Sequence, residues 1–156
     1  MNFRTLWTVM LATALFLAGC MKTGEETAGT DSNEEANKEI VIAFYDAAIN
    51  EKDFEKASQY LGDVYIQHNP LAQDGPEGLQ AFLDFARQNI PDFRIEFKRV
   101  LADGDFVVVH GHARANPEDR GSAVMDIFRL ENGLVVEHWD VIQQIPETAM
   151  NDNTMF

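Results

Sequence analysis

Cysteine is almost missing from this chain. Of 156 residues only Cys20 is one, so no intramolecular disulfide can form and stability must come from a packed core. Basic residues are also scarce, 12 Lys and Arg against 26 Asp and Glu, for a net charge of −14. That balance argues against nucleic acid and against adsorption to anionic lipid. The longest apolar run, Leu6 to Ala18, is too short to span a bilayer comfortably. A Gly-rich phosphate loop of the P-loop or dinucleotide type is lacking, and no serine or cysteine sits in a nucleophile setting. Acid/base chemistry without a cofactor is what remains. No repeat is visible, and an apolar content of 46% suffices for one domain with a sizeable core.

The N-terminus reads as a leader. Met1 to Arg4 is a short basic stretch, Leu6 to Ala18 is apolar, and Leu17-Ala18-Gly19-Cys20 places small residues before the cysteine. This resembles a bacterial lipoprotein signal over residues 1–19. The resemblance implies lipidation of Cys20 and a place in the bacterial cell envelope, on the outer side of the cytoplasmic membrane or in the outer membrane. Residues 20–34 hold little that could pack and read as a flexible acidic tether. Since charge argues against lipid adsorption, membrane attachment would come from the lipid on Cys20.

Three helices are expected next. Glu35 to Asn50 repeats Ile40, Phe44, Ala47 and Ala48 at helical spacing, with Ser32-x-x-Glu35 as a capping box. A second runs Asp53 to Leu61 and stops at Gly62; a third follows Asp74-Gly75-Pro76-Glu77 and buries Leu79, Phe82, Leu83 and Ala86. A short strand, Val64 to Gln67, lies between them. From Phe93 the period is two, through strands near 93–100, 106–115, 123–131 and 134–144, the last pair joined by the hairpin signal Asn132-Gly133. Helices followed by a meander describe an α+β domain, residues 35–147, with helices on one face of a bent sheet and a C-terminal tail at 148–156.

All four histidines and two aspartates fall in or beside these strands, in Tyr65-Ile66-Gln67-His68-Asn69-Pro70, Val107 to His112, Met125-Asp126-Ile127-Phe128 and Glu137-His138-Trp139-Asp140. A titratable group facing a core costs several kcal/mol, roughly, unless it is paired or serves a site. A small-molecule pocket is therefore expected.

The order of elements, the Tyr65 to Pro70 segment, the Asp126-Ile127-Phe128-Arg129-Leu130-Glu131-Asn132-Gly133 strand end and the Val136 to Gln143 return resemble the SnoaL-like polyketide cyclase family of the nuclear transport factor 2-like superfamily. The resemblance implies a cone-shaped fold, N-terminal helices packed on a curved, mostly antiparallel sheet that encloses a pocket. It also implies a cyclase-type site in which an aspartate and a histidine on adjacent strands share the pocket, the aspartate acting as acid and base in an aldol closure. The matching positions are Asp126 and His112, with His110 on the same face as His112. A homodimer through the outer sheet face is implied as well, supplied with polar groups by Arg94, Glu96, Lys98, Arg129, His138 and Asp140.

The last hairpin decides what else joins Asp126. A two-residue Asn132-Gly133 turn pairs Glu131 with Leu134 and sets Asp126 opposite Trp139, whereas a bulged turn would put His138 and Asp140 beside it. The first gathers more apolar side chains and is preferred, which makes Phe128 and Trp139 pocket walls. His68 and His110 would orient or polarise the substrate carbonyl, and Asn69 would hold the loop that follows His68. His110-Gly111-His112 also has metal-ligand spacing, with Asp126 or His68 as a third ligand. The run from Gly104 resembles the start of a cupin motif, but Glu118 lies too far along and no second motif appears, so no metal and no cofactor is expected. The expected function is an acid/base enzyme (aldol-type cyclase, isomerase or related lyase or hydrolase) on a small apolar carbonyl compound. The alternative is a non-catalytic ligand-binding or dimerisation module.

Overall fold

The computed structural model describes residues 25–156; the leader and Cys20 lie outside them. Helix α1, Glu25–Tyr45, starts ahead of Ser32, inside the stretch expected to be tether. Ser32 therefore does not open the helix. Two contacts tie this helix to the rest of the domain: the Gly104 N–H donates to Glu34 Oε1 (3.0 Å) and Asn37 Nδ2 donates to the Gly104 carbonyl (3.1 Å).

After Tyr45 the helix widens into a π-helical segment, Asp46–Glu51, closed by Lys52 in the left-handed region (φ 57°). Such widenings re-aim side chains at functional sites. Here Asn50 turns to the sheet, taking the Ile95 N–H on Oδ1 (2.9 Å) and donating Nδ2 to the Ile95 carbonyl (3.1 Å). Helix α2 is short, Phe54–Ser58, capped by Asp53, whose side chain accepts the Lys56 N–H. The helix expected to reach Leu61 gives way to strand β1, Leu61–Gln67, because Leu61 pairs with Val135 and the Val135 N–H bonds to the Tyr60 carbonyl (2.8 Å). Helix α3 follows, Gly75–Asn89, with proline in its first turn.

Strands β2 (Arg94–Asp103), β3 (Phe106–Arg114), β4 (Ser122–Glu131) and β5 (Leu134–Gln144) form the meander. The sheet order is β1-β5-β4-β3-β2, with β1 parallel to β5 and every other pair antiparallel. This is the expected α+β cone. Its inner face presents Val107, Val109, Val124, Phe128, Leu130 and Val135 to Val41, Phe44, Ala47 and Ala48 of the helical layer.

One irregularity changes the inner face. Asn132 and Gly133 (φ 52° and 75°) make the expected two-residue turn, pairing Glu131 with Leu134 and Leu130 with Val135. The next pair is Arg129 with Glu137, so Val136 is an extra residue in β5. Beyond this bulge Phe128 faces His138, Ile127 faces Trp139 and Asp126 faces Asp140. The preferred register, with Trp139 beside Asp126, is overturned, and the consequence foreseen for a bulged turn is reached by a bulge within the strand. The physical reason is local: Val135 and Val136 are both buried. Gly62 of β1 has no side chain to obstruct Val136, whose Cγ1 lies where a Cβ at Gly62 would be 2.7 Å away. Two adjacent valines reach apolar surroundings only if the strand takes one extra residue.

Gly78, buried in α3, offers a check on this packing, because a Cβ there would lie 2.2 Å from the backbone oxygen of Gln73. Alanine is the better helix former. Gly78→Ala is nevertheless expected to destabilise the fold, by about 1–3 kcal/mol in denaturant unfolding. An unchanged or raised midpoint would mean that the Gln73 backbone yields freely.

Candidate active site

Between α1, the π-helical segment, α3 and the concave sheet face lies a cavity of about 390 Å³. Its wall is apolar around Phe44, Ile49, Leu79, Phe82, Phe93 and Ile95, and polar where β1, β4 and β5 meet.

Asp126 is central to the polar part. It sits in mid-strand on β4, 1% exposed. Its Oδ1 accepts the Tyr45 hydroxyl (2.9 Å) and lies 3.2 Å from His138 Nε2. Its Oδ2 is buried and has no hydrogen-bond partner among the described residues. Burial raises its carboxyl above the ordinary carboxylate range; the bonds from His138 and Tyr45 oppose that shift, and the charge of Asp140 adds to it.

His138 is held on both nitrogens. Nδ1 lies 3.0 Å from Gln67 Oε1, which also accepts the Asn69 N–H (2.9 Å). An atom that takes a backbone N–H is an acceptor, so His138 Nδ1 carries a hydrogen. The short approach of Nε2 to Oδ1 then requires one proton between them, on the imidazole or on the carboxyl. In either arrangement the pair has no net charge. The ring packs on Phe128, centroids 4.7 Å apart. Asp140, directly across from Asp126, accepts Asn69 Nδ2 on Oδ2 (2.6 Å), and Asn69 Oδ1 takes the Leu71 N–H (2.8 Å).

The phenols of Tyr45 and Tyr65 are both raised well above their ordinary range, first by burial and then by the Asp126 charge. Both stay protonated. Tyr45 spends its hydrogen on Asp126, whereas Tyr65 accepts from Gln67 Nε2 at 3.5 Å and keeps its own hydrogen for another partner.

Of the residues expected here, Asp126, Asn69 and Phe128 line the cavity, and Asn69 holds the following loop. The expected Asp126–His112 pair is not formed. Val109 is the residue across from Asp126, so the alternation of β3 sends His110 and His112 to the outer face. There the Nε2 of His112 donates to the Arg120 carbonyl (2.7 Å) and its ring lies against Phe156. His110 Nδ1 accepts from Arg99 Nη1 (3.0 Å). Neither can join Asp126 or His68 around a metal. His68 and Trp139 are likewise outside, stacked on each other at 4.6 Å, with His68 Nε2 2.8 Å from Glu137 Oε1. His138 and Asp140, assigned to the outer face, lie inside. Tyr45, Gln67 and Tyr65 also join the site, although the sequence marks them only by their place in an expected helix or strand. Gln67 sits within the polar run Gln67-His68-Asn69, and that was the one available sign of them. Asp126, His138 and Asp140 each offer one ligand atom within 4.8 Å of the others, the spacing of a three-ligand metal site.

Residues 41–138 match the SnoaL-like domain family. No curated protein matches. Among solved structures, TsrD from Streptomyces laurentii is similar at 23% identity and a TM-score of 0.58, over 69% of this chain and 88% of its own. A provisionally assigned ketosteroid isomerase from Kribbella flavida is similar at 16% identity and 0.61, over 80% and 90%. An LEH-like epoxide hydrolase from M. tuberculosis is similar at 21% and 0.60, over 71% and 85%. Likeness at these identities establishes the cone fold and not a reaction.

The raised carboxyl of Asp126 has a definite sign in stability. Its contribution is complete below the ordinary value of 3.8 and is lost as pH rises through the value in the folded protein. Asp126→Asn, neutral at every pH, is therefore expected to melt higher than wild type at neutral pH, with the difference shrinking as pH falls. A variant less stable than wild type at neutral pH, by a margin that shrinks as pH falls, would show that the fold prefers the carboxylate.

Proposed function

The chain belongs to the SnoaL-like domain family, and on that premise we propose that it is a cofactor-independent acid/base enzyme acting on a small, mainly apolar carbonyl compound. The reaction would be of the aldol-cyclase, isomerase or related lyase or hydrolase type. Asp126 Oδ2 carries this reading: a buried carboxylate oxygen, unpartnered among the described residues, in a residue that lines an apolar cavity. Such an oxygen is costly unless something in the site takes or gives a proton there.

With the shared proton on His138 Nε2, Asp126 is a carboxylate, held by Tyr45 and the imidazolium, and Oδ2 removes a proton from the carbon next to the substrate carbonyl. The charge that develops on the carbonyl oxygen is stabilised by the Tyr65 hydroxyl, whose hydrogen is uncommitted. Oδ2 then returns the proton to carbon in an isomerisation, or to the alkoxide formed in an aldol closure. Two structural neighbours carry the names ketosteroid isomerase and epoxide hydrolase, reaction types that acid/base catalysis can serve.

The test is deuterium exchange at the α-carbon of a panel of apolar ketones, followed by NMR. Asp126→Asn and His138→Gln are expected to slow exchange by roughly a hundredfold to ten-thousandfold. His112→Ala and His68→Ala, on the outer face, should leave it near the wild-type rate. Ketones that bind without exchange, or exchange equally with Asp126→Asn, would leave the non-catalytic ligand-binding module as the reading.

Lipid on Cys20 and an envelope location complete the proposal, supported by the lipobox Leu17 to Cys20. Exposed Leu101, Phe106, Met125 and Val141 on the outer sheet face support a homodimer. In cells fed an alkyne fatty acid, wild type is expected to be labelled and to sediment with membranes. Cys20→Ser should lose both properties; an unlabelled wild type would refute the anchor.

A further inference from the structure

The charge of the cavity points to the class of compound it holds, an inference that rests on the acid/base reading only for what happens after binding. Among the described residues, three aspartates line it, Asp119, Asp126 and Asp140, and no lysine or arginine does. Asp126 and His138 hold one proton between them and cancel. Asp119 accepts the Ala115 N–H (2.9 Å) and the Gly121 N–H (3.0 Å) and is ionised. Asp140 gives Oδ2 to Asn69, and no hydrogen bond from a described residue reaches its Oδ1. The charge of Asp119 is balanced by the Ala115 and Gly121 N–H groups and by the nearby Arg120, which together hold its carboxyl below the usual range. One carboxylate without a compensating partner, Asp140, therefore faces an apolar, aromatic space whose wall includes Phe44, Tyr45, Tyr65 and Phe128.

An anionic ligand would lose its water shell against these carboxylates and gain no partner. A neutral ligand would leave Asp140 Oδ1 without a counter-charge. A cation gains both the carboxylate and the aromatic surroundings. We propose that the cavity takes an organic cation, a compact apolar body bearing an amine or quaternary ammonium group that seats against Asp140, with its carbonyl at Asp126.

Equilibrium binding of three probes to the purified protein tests this without turnover: benzyltrimethylammonium, its uncharged isostere neopentylbenzene, and the anion hydrocinnamate. The expected order is cation over neutral isostere by about tenfold or more, with the anion weakest. Asp140→Asn should bring the cation down to the isostere while the isostere's own affinity holds. The probe comparison needs no variant and stands if Asp140→Asn does not fold. Equal affinity for cation and isostere, anion binding as tight as either, or no binding of any probe would overturn the proposal. So would Mn²⁺ or Zn²⁺ displacing the ammonium and losing affinity in His138→Gln, which would assign Asp126, His138 and Asp140 to a metal. Cation preference without α-proton exchange would leave an amine-binding module, whereas exchange without cation preference would leave an enzyme for neutral ketones, so the two readings fail separately.

Discussion

The extra residue at Val136 is the constraint on which the site depends. A β-strand alternates faces, so one additional residue reverses every side chain that follows it. Without the bulge, Trp139 would stand beside Asp126, and His138 and Asp140 would face outward. With it, a carboxylate, an imidazole and a second carboxylate meet at one corner of an apolar cavity. Burial of Val135 and Val136 together, the latter against Gly62, is what stabilises the bulge.

Bringing those groups inside costs desolvation, and the surrounding structure offsets it unevenly. Tyr45, delivered just before the helix widens, bonds to Asp126; Gln67 and Asn69, at the end of β1, hold His138 and Asp140. Gln67 is the joint of this arrangement, since its oxygen takes both the Asn69 N–H and the His138 Nδ1–H and so sets the imidazole tautomer. Among the described residues, Asp126 Oδ2 is the fully buried side-chain atom left without a hydrogen bond. The desolvation cost that remains is therefore concentrated on one buried oxygen of a residue in the cavity wall.

The outer face is organised by different forces. His68 stacks on Trp139, and Glu137 is shared by His68 and by Arg129 Nε (2.7 Å), which together hold its carboxyl below the usual range. At the far side of the sheet the chain end returns, with Phe156 against the His112 ring (4.6 Å) and under Lys98 Nζ (5.3 Å). Three of the four histidines therefore serve surface packing and hydrogen bonding, and only His138 faces the cavity.

What the sequence by itself determined was the composition of the layers. Period-two apolar residues made the meander, period-3.6 residues made α1 and α3, Asn132-Gly133 made the last hairpin, and a titratable Asp126 among Val124 and Phe128 marked a pocket. These signals are local and depend on a few neighbouring residues. Tertiary structure alone decided which face His112, His138, Asp140 and Trp139 occupy. That choice turns on a one-residue register shift and on cross-strand parity, Val109 and not His110 opposite Asp126. It also decided the partners of Asp126, because Tyr45 and His138 reach it from 81 and 12 residues away. No spacing pattern records such contacts; the closure of the sheet against the helical layer creates them.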